Sequence, residues 1–247
     1  MLVFEEPILT TAAFTAVRLP LDSEHFNVSC GKVTLHRRLR KDDLEALLQV
    51  IKGIVFTTIV NVGNDMSNNQ LLQRHGGFLQ TDTIVKLRAR VSMAAPSDRR
   101  GILLRNSFPR DDALLRIANS VFTHSRLKND PKIPELSSSS FYGWWLFLSS
   151  DREDKYLITA QESEVEGFLL FRTSQDSLVI ELIGVAPESG GKGIGTALVA
   201  RLNLHALEHG ISFLQTGTQL ENIAALRFYQ KLGFFVVQSS STYHYWQ

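Results

Sequence analysis

Apolar residues recur along this chain with two periods, and the switch between them outlines its elements. Leu44, Leu47, Leu48 and Ile51 follow helical spacing within residues 41–51, and Lys52-Gly53 gives that helix a stop. The alternating Lys32-Val33-Thr34-Leu35 predicts a strand, and the apolar run over residues 54–60 predicts a buried one. Residues 69–75 predict a short helix that ends at Gly76-Gly77-Phe78, followed by a strand over 81–87. Ala94-Ala95-Pro96-Ser97 and then Asp98-Arg99-Arg100 mark a linker. Residues 1–96 are therefore expected to form a small αβ domain, and residues 97–247 a second, larger one.

The second half opens with a strand over 102–104. Pro109-Arg110-Asp111-Asp112 then starts a helix running to Val121, whose acidic first turn suits the helix dipole. Residues 138–148 read as a helix carrying Phe141, Tyr142, Trp144 and Trp145. Strands over 155–159 and 167–172 precede an apolar run over 178–185, and a helix is expected over 196–209. The predicted fold class is α/β (α+β), with strands and helices mixed along the chain. At the C-terminus, Ser239-Ser240-Ser241 reads as a turn before a strand with alternating Tyr243 and Tyr245. That strand either closes the sheet and lines a pocket or forms an exposed edge, which would leave a homodimer open.

Between the apolar run and the next helix, glycines stand at 190, 191, 193 and 195. Lacking Cβ atoms, they let backbone N–H groups turn toward a ligand, and the following helix N-terminus adds more, so the loop suits a pyrophosphate. A Walker A loop needs Ser or Thr after Gly-Lys, but Lys192 is followed by Gly193. A Rossmann fingerprint needs Gly-x-Gly-x-x-Gly near the start of a βαβ series, whereas here Gly191-x-Gly193-x-Gly195 comes near the chain's end. The run Val185-Ala-Pro, then Gly191-Lys-Gly-Ile-Gly-Thr-Ala-Leu198, then Asn222, Ala225, Leu226, Tyr229 and Leu232-Gly233-Phe234, resembles the GCN5-related N-acetyltransferase (GNAT) superfamily. The resemblance covers roughly residues 98–247 and implies a GNAT fold, a mixed, mostly antiparallel sheet flanked by helices, binding acetyl-CoA as co-substrate. One departure is Gly190, which stands where the family usually has Arg or Gln.

That resemblance assigns Gly191, Lys192, Gly193, Ile194, Gly195 and Thr196 to the pyrophosphate, and Ile183 and Val185 to the pantetheine arm. Asn222, Ala225, Leu226 and Tyr229 share one helix face by spacing. Asn222 is suited to cap that helix or bond the pantetheine, and Tyr229 to donate a proton to the departing thiolate. The base stays open between Glu181, His124 and water. Phe122-Thr-His124-Ser-Arg126, Asp130-Pro131 and the aromatic-Trp helix resemble TDP-fucosamine acetyltransferases. This implies a nucleotide-linked amino sugar as acceptor, with His124, Arg126 and Trp144 as candidate contacts; Arg126 equally suits an internal ion pair. Rival acceptors are a peptide N-terminus, a polyamine or an antibiotic, and a non-catalytic CoA sensor is the non-enzymatic alternative. If Gly77-Phe78 is laid on Gly233-Phe234, Gln73 falls at Tyr229, and the first half has no glycine loop. The N-terminal domain then reads as a degenerate GNAT-like half that does not bind CoA in this way, although helix, Gly-Phe and strand recur in many αβ proteins.

Composition narrows the remaining choices. Of 247 residues, 44% are hydrophobic and 21% charged, with 26 basic against 25 acidic side chains. A formal charge of +1 argues against nucleic acid or anionic membrane as partners. No 18-residue apolar run or basic leader occurs, so a cytoplasmic protein is expected. Cys30 is alone, which excludes an intrachain disulfide. His205-x-x-Glu208-His209 matches an inverted zinc-peptidase pattern, but no third ligand is evident, and no metal is expected.

Overall fold

The computed structural model describes residues 4–92, 101–106, 111–150 and 152–247. The linker expected at 91–100 lies outside the described residues from Met93 onward, as do Pro109 and Arg110 of the predicted helix start. The first half runs β1 (Glu6–Thr10), β2 (Phe14–Arg18), α1 (Pro20–Phe26), β3 (Cys30–Leu35), α2 (Lys41–Val50), β4 (Phe56–Val62), α3 (Met66–His75) and β5 (Phe78–Arg90). The second runs β6 (Ile102–Arg105), α4 (Asp112–Val121), α5 (Glu135–Ser149), β7 (Lys155–Gln161), β8 (Val165–Ser174) and β9 (Ser177–Val185). It ends with α6 (Ile194–Glu208), β10 (Phe213–Gln219), α7 (Ile223–Lys231) and β11 (Phe235–Trp246). Among the described residues no helix is long and apolar enough to cross a membrane.

Local signals explain most helix starts. Asp111 caps α4 by accepting from the Ala113 and Leu114 N–H groups, and Asp65 caps α3 by accepting from Asn68 N–H. Asp43 caps the start of α2 by accepting from the Arg40 N–H at 2.8 Å, while Leu44 and Leu47 face inward. β1, β2 and α1 carry no strong period and escape the sequence reading; β1 is an exposed two-strand margin.

Among the described residues, eleven strands form one sheet in the order β1-β2-β3-β4-β11-β5-β10-β9-β8-β7-β6. Each half contributes a parallel pair, β3 with β4 and β9 with β10, with a helix crossing between its strands. Each then sends its last strand into the other half. β11 pairs with β4 on one side and β5 on the other, and β5 pairs with β10. The cores interlock accordingly: Val85, Leu87 and Ala89 of β5 are buried with Leu198 and Leu202 of α6. Tyr243 of β11, fully buried, packs with Leu35, Leu47 and Ile59 of the first half. A fully buried side chain of this size contributes about 1.5–3 kcal/mol, so the exchange ties the halves together strongly.

The C-terminal stretch corrects the sequence reading. Ser239, Ser240 and Ser241 form no turn; they continue β11 through the middle of the sheet, paired with β5 throughout and with β4 from Ser240 onward. Ser241 Oγ donates to Asn64 Oδ1 and Tyr243 Oη donates to Asn69 Oδ1 at 2.8 Å, whereas Ser240 Oγ is buried without a hydrogen-bond partner. The free edges are β1 and β6, so there is no exposed C-terminal edge for a dimer to use. α3 also begins at Met66, before the predicted start at 69.

The strand exchange carries a direct test. Residues 1–96 produced alone lack β11, leaving β4 and β5 without the strand between them and Leu72 and Phe78 without Tyr243. We expect this fragment to be unfolded or aggregated by circular dichroism and amide NMR; a dispersed monomeric spectrum would contradict the interlock.

Candidate active site

The parallel pair at the centre of the second half is hydrogen-bonded over three positions only, Phe213, Leu214 and Gln215 against Ser177, Leu178 and Val179. Beyond them β9 and β10 diverge. The pairing of β8 with β9 passes from Phe171↔Ile180 to Leu170↔Leu182, so Glu181 is the extra residue of a bulge. A bulge bends its strand and re-aims a side chain, and such features cluster beside active sites. The gap opens into a cavity of about 450 Å³ whose walls are residues 180–185 of β9 and 216–219 of β10.

Beyond the gap the chain reverses through a short turn, Pro187–Ser189, and the glycine loop leads into α6. Gly191 and Gly193 have φ of 77° and 78°, a region that favours glycine. Gly193 is the N-cap of α6 and provides no side-chain bond, so the first-turn N–H groups stay available to an anion. A methyl built on Gly195 would lie 3.2 Å from the Phe228 ring and 4.0 Å from Val185, so this helix end stands beside the cavity's Val185 wall. These residues fit a pyrophosphate. Ile194 is buried in the core and offers only its backbone, whereas Thr196 is exposed. Lys192 folds back on Ser189 Oγ at 3.3 Å and Glu166 at 3.7 Å.

Helix α7 supplies the opposite wall. Asn222 caps it, accepting from Ala225 N–H at 3.1 Å. Two turns on, Tyr229 is 3% exposed and lines the cavity, and its oxygen accepts from Thr216 Oγ1 at 3.3 Å. Burial pushes the phenol above its ordinary value, with the Thr216 bond pulling the other way, so Tyr229 holds its proton at neutral pH.

Glu181 sits in a denser charge arrangement than its position in the sequence suggests. Its Oε1 accepts from Lys155 Nζ and from Arg172 Nε, the latter at 3.0 Å, while Oε2 is buried without a hydrogen-bond partner. Lys155 is 3% exposed, and burial pulls its ammonium below the ordinary range although Glu181 draws it back.

The segment between α4 and α5 lines the cavity with Phe122, Thr123, His124 and Arg126. Asp130 anchors it, accepting from His244 Nδ1 at 2.7 Å and Trp246 Nε1 at 2.8 Å, and Asn129 donates to the Thr81 carbonyl at 2.7 Å. Burial works against ionisation of Asp130, but these bonds outweigh it and hold the carboxyl below its usual range. Burial keeps His244 neutral despite that neighbour. Tyr142 of α5 donates to Ser125 Oγ at 2.9 Å. A second cavity, about 550 Å³, adjoins the first: Ile84, Arg126, Tyr142, Glu181, Leu182 and Gln219 line both.

The fold thus gathers Tyr229, Glu181, Ile183, Val185, Asn222, Ala225, His124 and Arg126 around one cavity. The glycine loop stands beside it, and Leu226 packs into the core. Trp144 lines neither cavity; it packs against His25 at 4.7 Å between ring centres, and its neighbour Trp145 faces the larger cavity instead. Around a helix one residue is a 100° turn, so neighbouring rings face different partners. The sequence reading missed Thr216, Gln219 and every lining residue from the first half, including Asp22 and Asp82. The polar run Thr216-Gly-Thr-Gln219 was a signal for β10; the contribution of β5 depends on the strand exchange and had none. His205, Glu208 and His209 do converge, with ligand atoms within 4.8 Å of one another, near the C-terminal end of α6.

Residues 113–234 match the model of the acetyltransferase (GNAT) family. The chain is 29% identical over 136 residues, 55% of its length and 47% of the relative's, to the spore coat polysaccharide biosynthesis protein SpsD of Bacillus subtilis. It is also 29% identical over 144 residues, 54% of its length and 45% of the relative's, to a mycothiol acetyltransferase of Nocardia farcinica. The chain spans just under half the length of these curated relatives. A GCN5-related N-acetyltransferase from Sphaerobacter thermophilus superposes with TM-score 0.62 at 18% identity, over 94% of this chain and 76% of that one. A tandem GNAT protein from the clavulanic acid biosynthesis pathway superposes with TM-score 0.60 at 12% identity, over 94% and 78%. The fold is that of the GNAT proteins.

The charge cluster at Glu181 is testable apart from catalysis. Lys155→Met leaves a largely buried carboxylate without its closest cation and should cost about 3 kcal/mol, or about 6–12 °C in Tm. Adding Glu181→Leu should recover part of that loss. A Lys155→Met melt within 1 °C of the native protein would contradict the described pair.

Proposed function

We propose that this protein, whose residues 113–234 match the model of the acetyltransferase (GNAT) family, belongs to that family and moves acetyl from acetyl-CoA to the primary amine of a small acceptor. The observation that carries this reading is the alignment of three features around one gap: the divergence of β9 from β10, the uncapped glycine-loop end of α6, and Tyr229 buried on the far wall. In this reading the loop N–H groups hold the pyrophosphate, and the unpaired flank of β9 at Ile183 and Val185 bonds the pantetheine arm. The amine enters from the larger cavity and attacks the thioester carbonyl carbon directly. Tyr229 donates its proton to the thiolate as the C–S bond breaks, and regains one from the new amide nitrogen through water. Such a protein works in the cytoplasm, where acetyl-CoA is supplied.

The best-supported acceptor is a TDP-4-amino-4,6-dideoxyhexose. Arg126 is suited to a diphosphate and the aromatic face of Phe141, Tyr142 and Trp145 to stacking, and all four line the larger cavity. The name of the SpsD relative, from polysaccharide biosynthesis, agrees with a sugar acceptor. The mycothiol acetyltransferases among the relatives favour a second reading, in which the acceptor is another small amine. We further propose that residues 1–96 are a degenerate GNAT-like half, since they repeat the parallel pair, helix and exchanged strand without a glycine loop.

Mass spectrometry of TDP-4-amino-4,6-dideoxyhexoses incubated with acetyl-CoA should find a product one acetyl group heavier. Tyr229→Phe should lower kcat about 100-fold with KM for acetyl-CoA within about 3-fold of native. An unmodified sugar beside acetylation of other amines would move the acceptor to the second reading; no transfer to any amine would refute the proposed activity.

A further inference from the structure

The larger cavity has a polar group that the reaction as described leaves unused. Asp82 is 6% exposed and lines that cavity, and neither carboxylate oxygen has a hydrogen-bond partner. Burying a carboxylate without full hydrogen bonding is costly, and native proteins satisfy nearly all such groups. Its nearest polar neighbours are neutral: Thr242 and Gln219 draw its value down as hydrogen-bond donors without closing a well-formed bond to either oxygen, Arg126 and Glu221 act at longer range, and His244 on β11 lies within its field. Lys86, two pleats along the same face of β5, and the buried Asp22 of α1 face the same cavity. Burial raises the Asp82 carboxyl above its usual range, and these neighbours offset that only in part.

Position gives the carboxylate a role. Asp82 and Ile84 share a face of β5, about 7 Å apart along the strand, and Ile84 lines both cavities. The side chain therefore stands one pleat back from the gap between β9 and β10, on the acceptor's side of it. Glu181, which also lines both cavities, already has two cations on Oε1. Asp82 has none bonded to it.

We propose that Asp82, carried on the strand that the first half inserts into the second, seats the acceptor's ammonium and takes its proton before transfer. This rests on the acetyltransferase reading. Asp82 carboxylate accepts one N–H proton of the ammonium, leaving a neutral amine whose lone pair forms the C–N bond, and later releases that proton to water. The acceptor site is then a joint product of the two halves, which gives the first half a catalytic purpose without a cofactor loop of its own. The acceptor class is a primary ammonium on a body that fits a cavity of about 550 Å³.

Asp82→Asn removes the charge and keeps the shape. A carboxyl whose value is raised by folding stabilises the native state only below its unfolded value near 3.8 and costs stability as pH rises through its folded value. The variant should therefore melt at or above the native temperature at pH 8 and level with it at pH 4, and should bind acetyl-CoA with native affinity by calorimetry. Its kcat/KM for the acceptor should fall at least 100-fold, with Asp82→Glu recovering part and the acid limb of the native pH profile absent in Asp82→Asn. Transfer by Asp82→Asn at the native rate would overturn the assignment alone, and so would a melt several degrees lower at pH 8, which would make the carboxylate a structural group. Absence of transfer to any amine by the native protein would remove the activity and this assignment together.

Discussion

Everything in the candidate site depends on where two parallel strands stop pairing. β9 and β10 share three positions and then part, and the bulge at Glu181 bends β9 at the point of departure. A parallel pair that continued would have buried its own backbone groups in a ladder and left no cavity. Because it ends, residues 180–185 and 216–219 line a gap, and the α6 N-terminus stands at one side of it. The requirement for an uncapped, glycine-built helix start follows from the same geometry, since N–H groups serve a ligand only where no side chain has claimed them.

The second organising feature is reciprocity between the halves. Each half lends its last strand to the other, so β5 and β11 lie side by side at the centre and the sheet has no seam of weak contacts there. Asp130, bonded to His244 and Trp246 of β11, fixes the lining segment to this shared centre, and Asn129 fixes it to β5. Packing energetics and site architecture are thereby linked: the strands that interlock the cores are the ones whose opposite faces floor the larger cavity.

Much of this was legible in the chain. The three antiparallel strands leading into the glycine loop, the helix after it, and the shared face of Asn222, Ala225 and Tyr229 all follow from short-range periodicity, and the structure has them. What escaped was long-range. Nothing local marks Ser239–Ser241 as central strand, because serine hydroxyls read as turn until Asn64 and the strands on both sides are known. Asp82 likewise reads as one polar position in an alternating strand; only the neighbour relation Thr242↔Asp82 brings it to a cavity. Trp144, taken as an acceptor contact, packs against His25 instead, and Trp145 faces the larger cavity, because the partners on each helix face come from the first half.

The central claim is that acetyl-CoA occupies the gap between β9 and β10 with its pyrophosphate on the α6 N-terminus. Hydrogen–deuterium exchange with and without acetyl-CoA tests it without requiring an acceptor. The account predicts slowed exchange over residues 181–185 and 191–198, with no change over the corresponding strand-to-helix connection at 36–41 of the first half. Protection absent from the glycine loop, or confined to the first half, would contradict it.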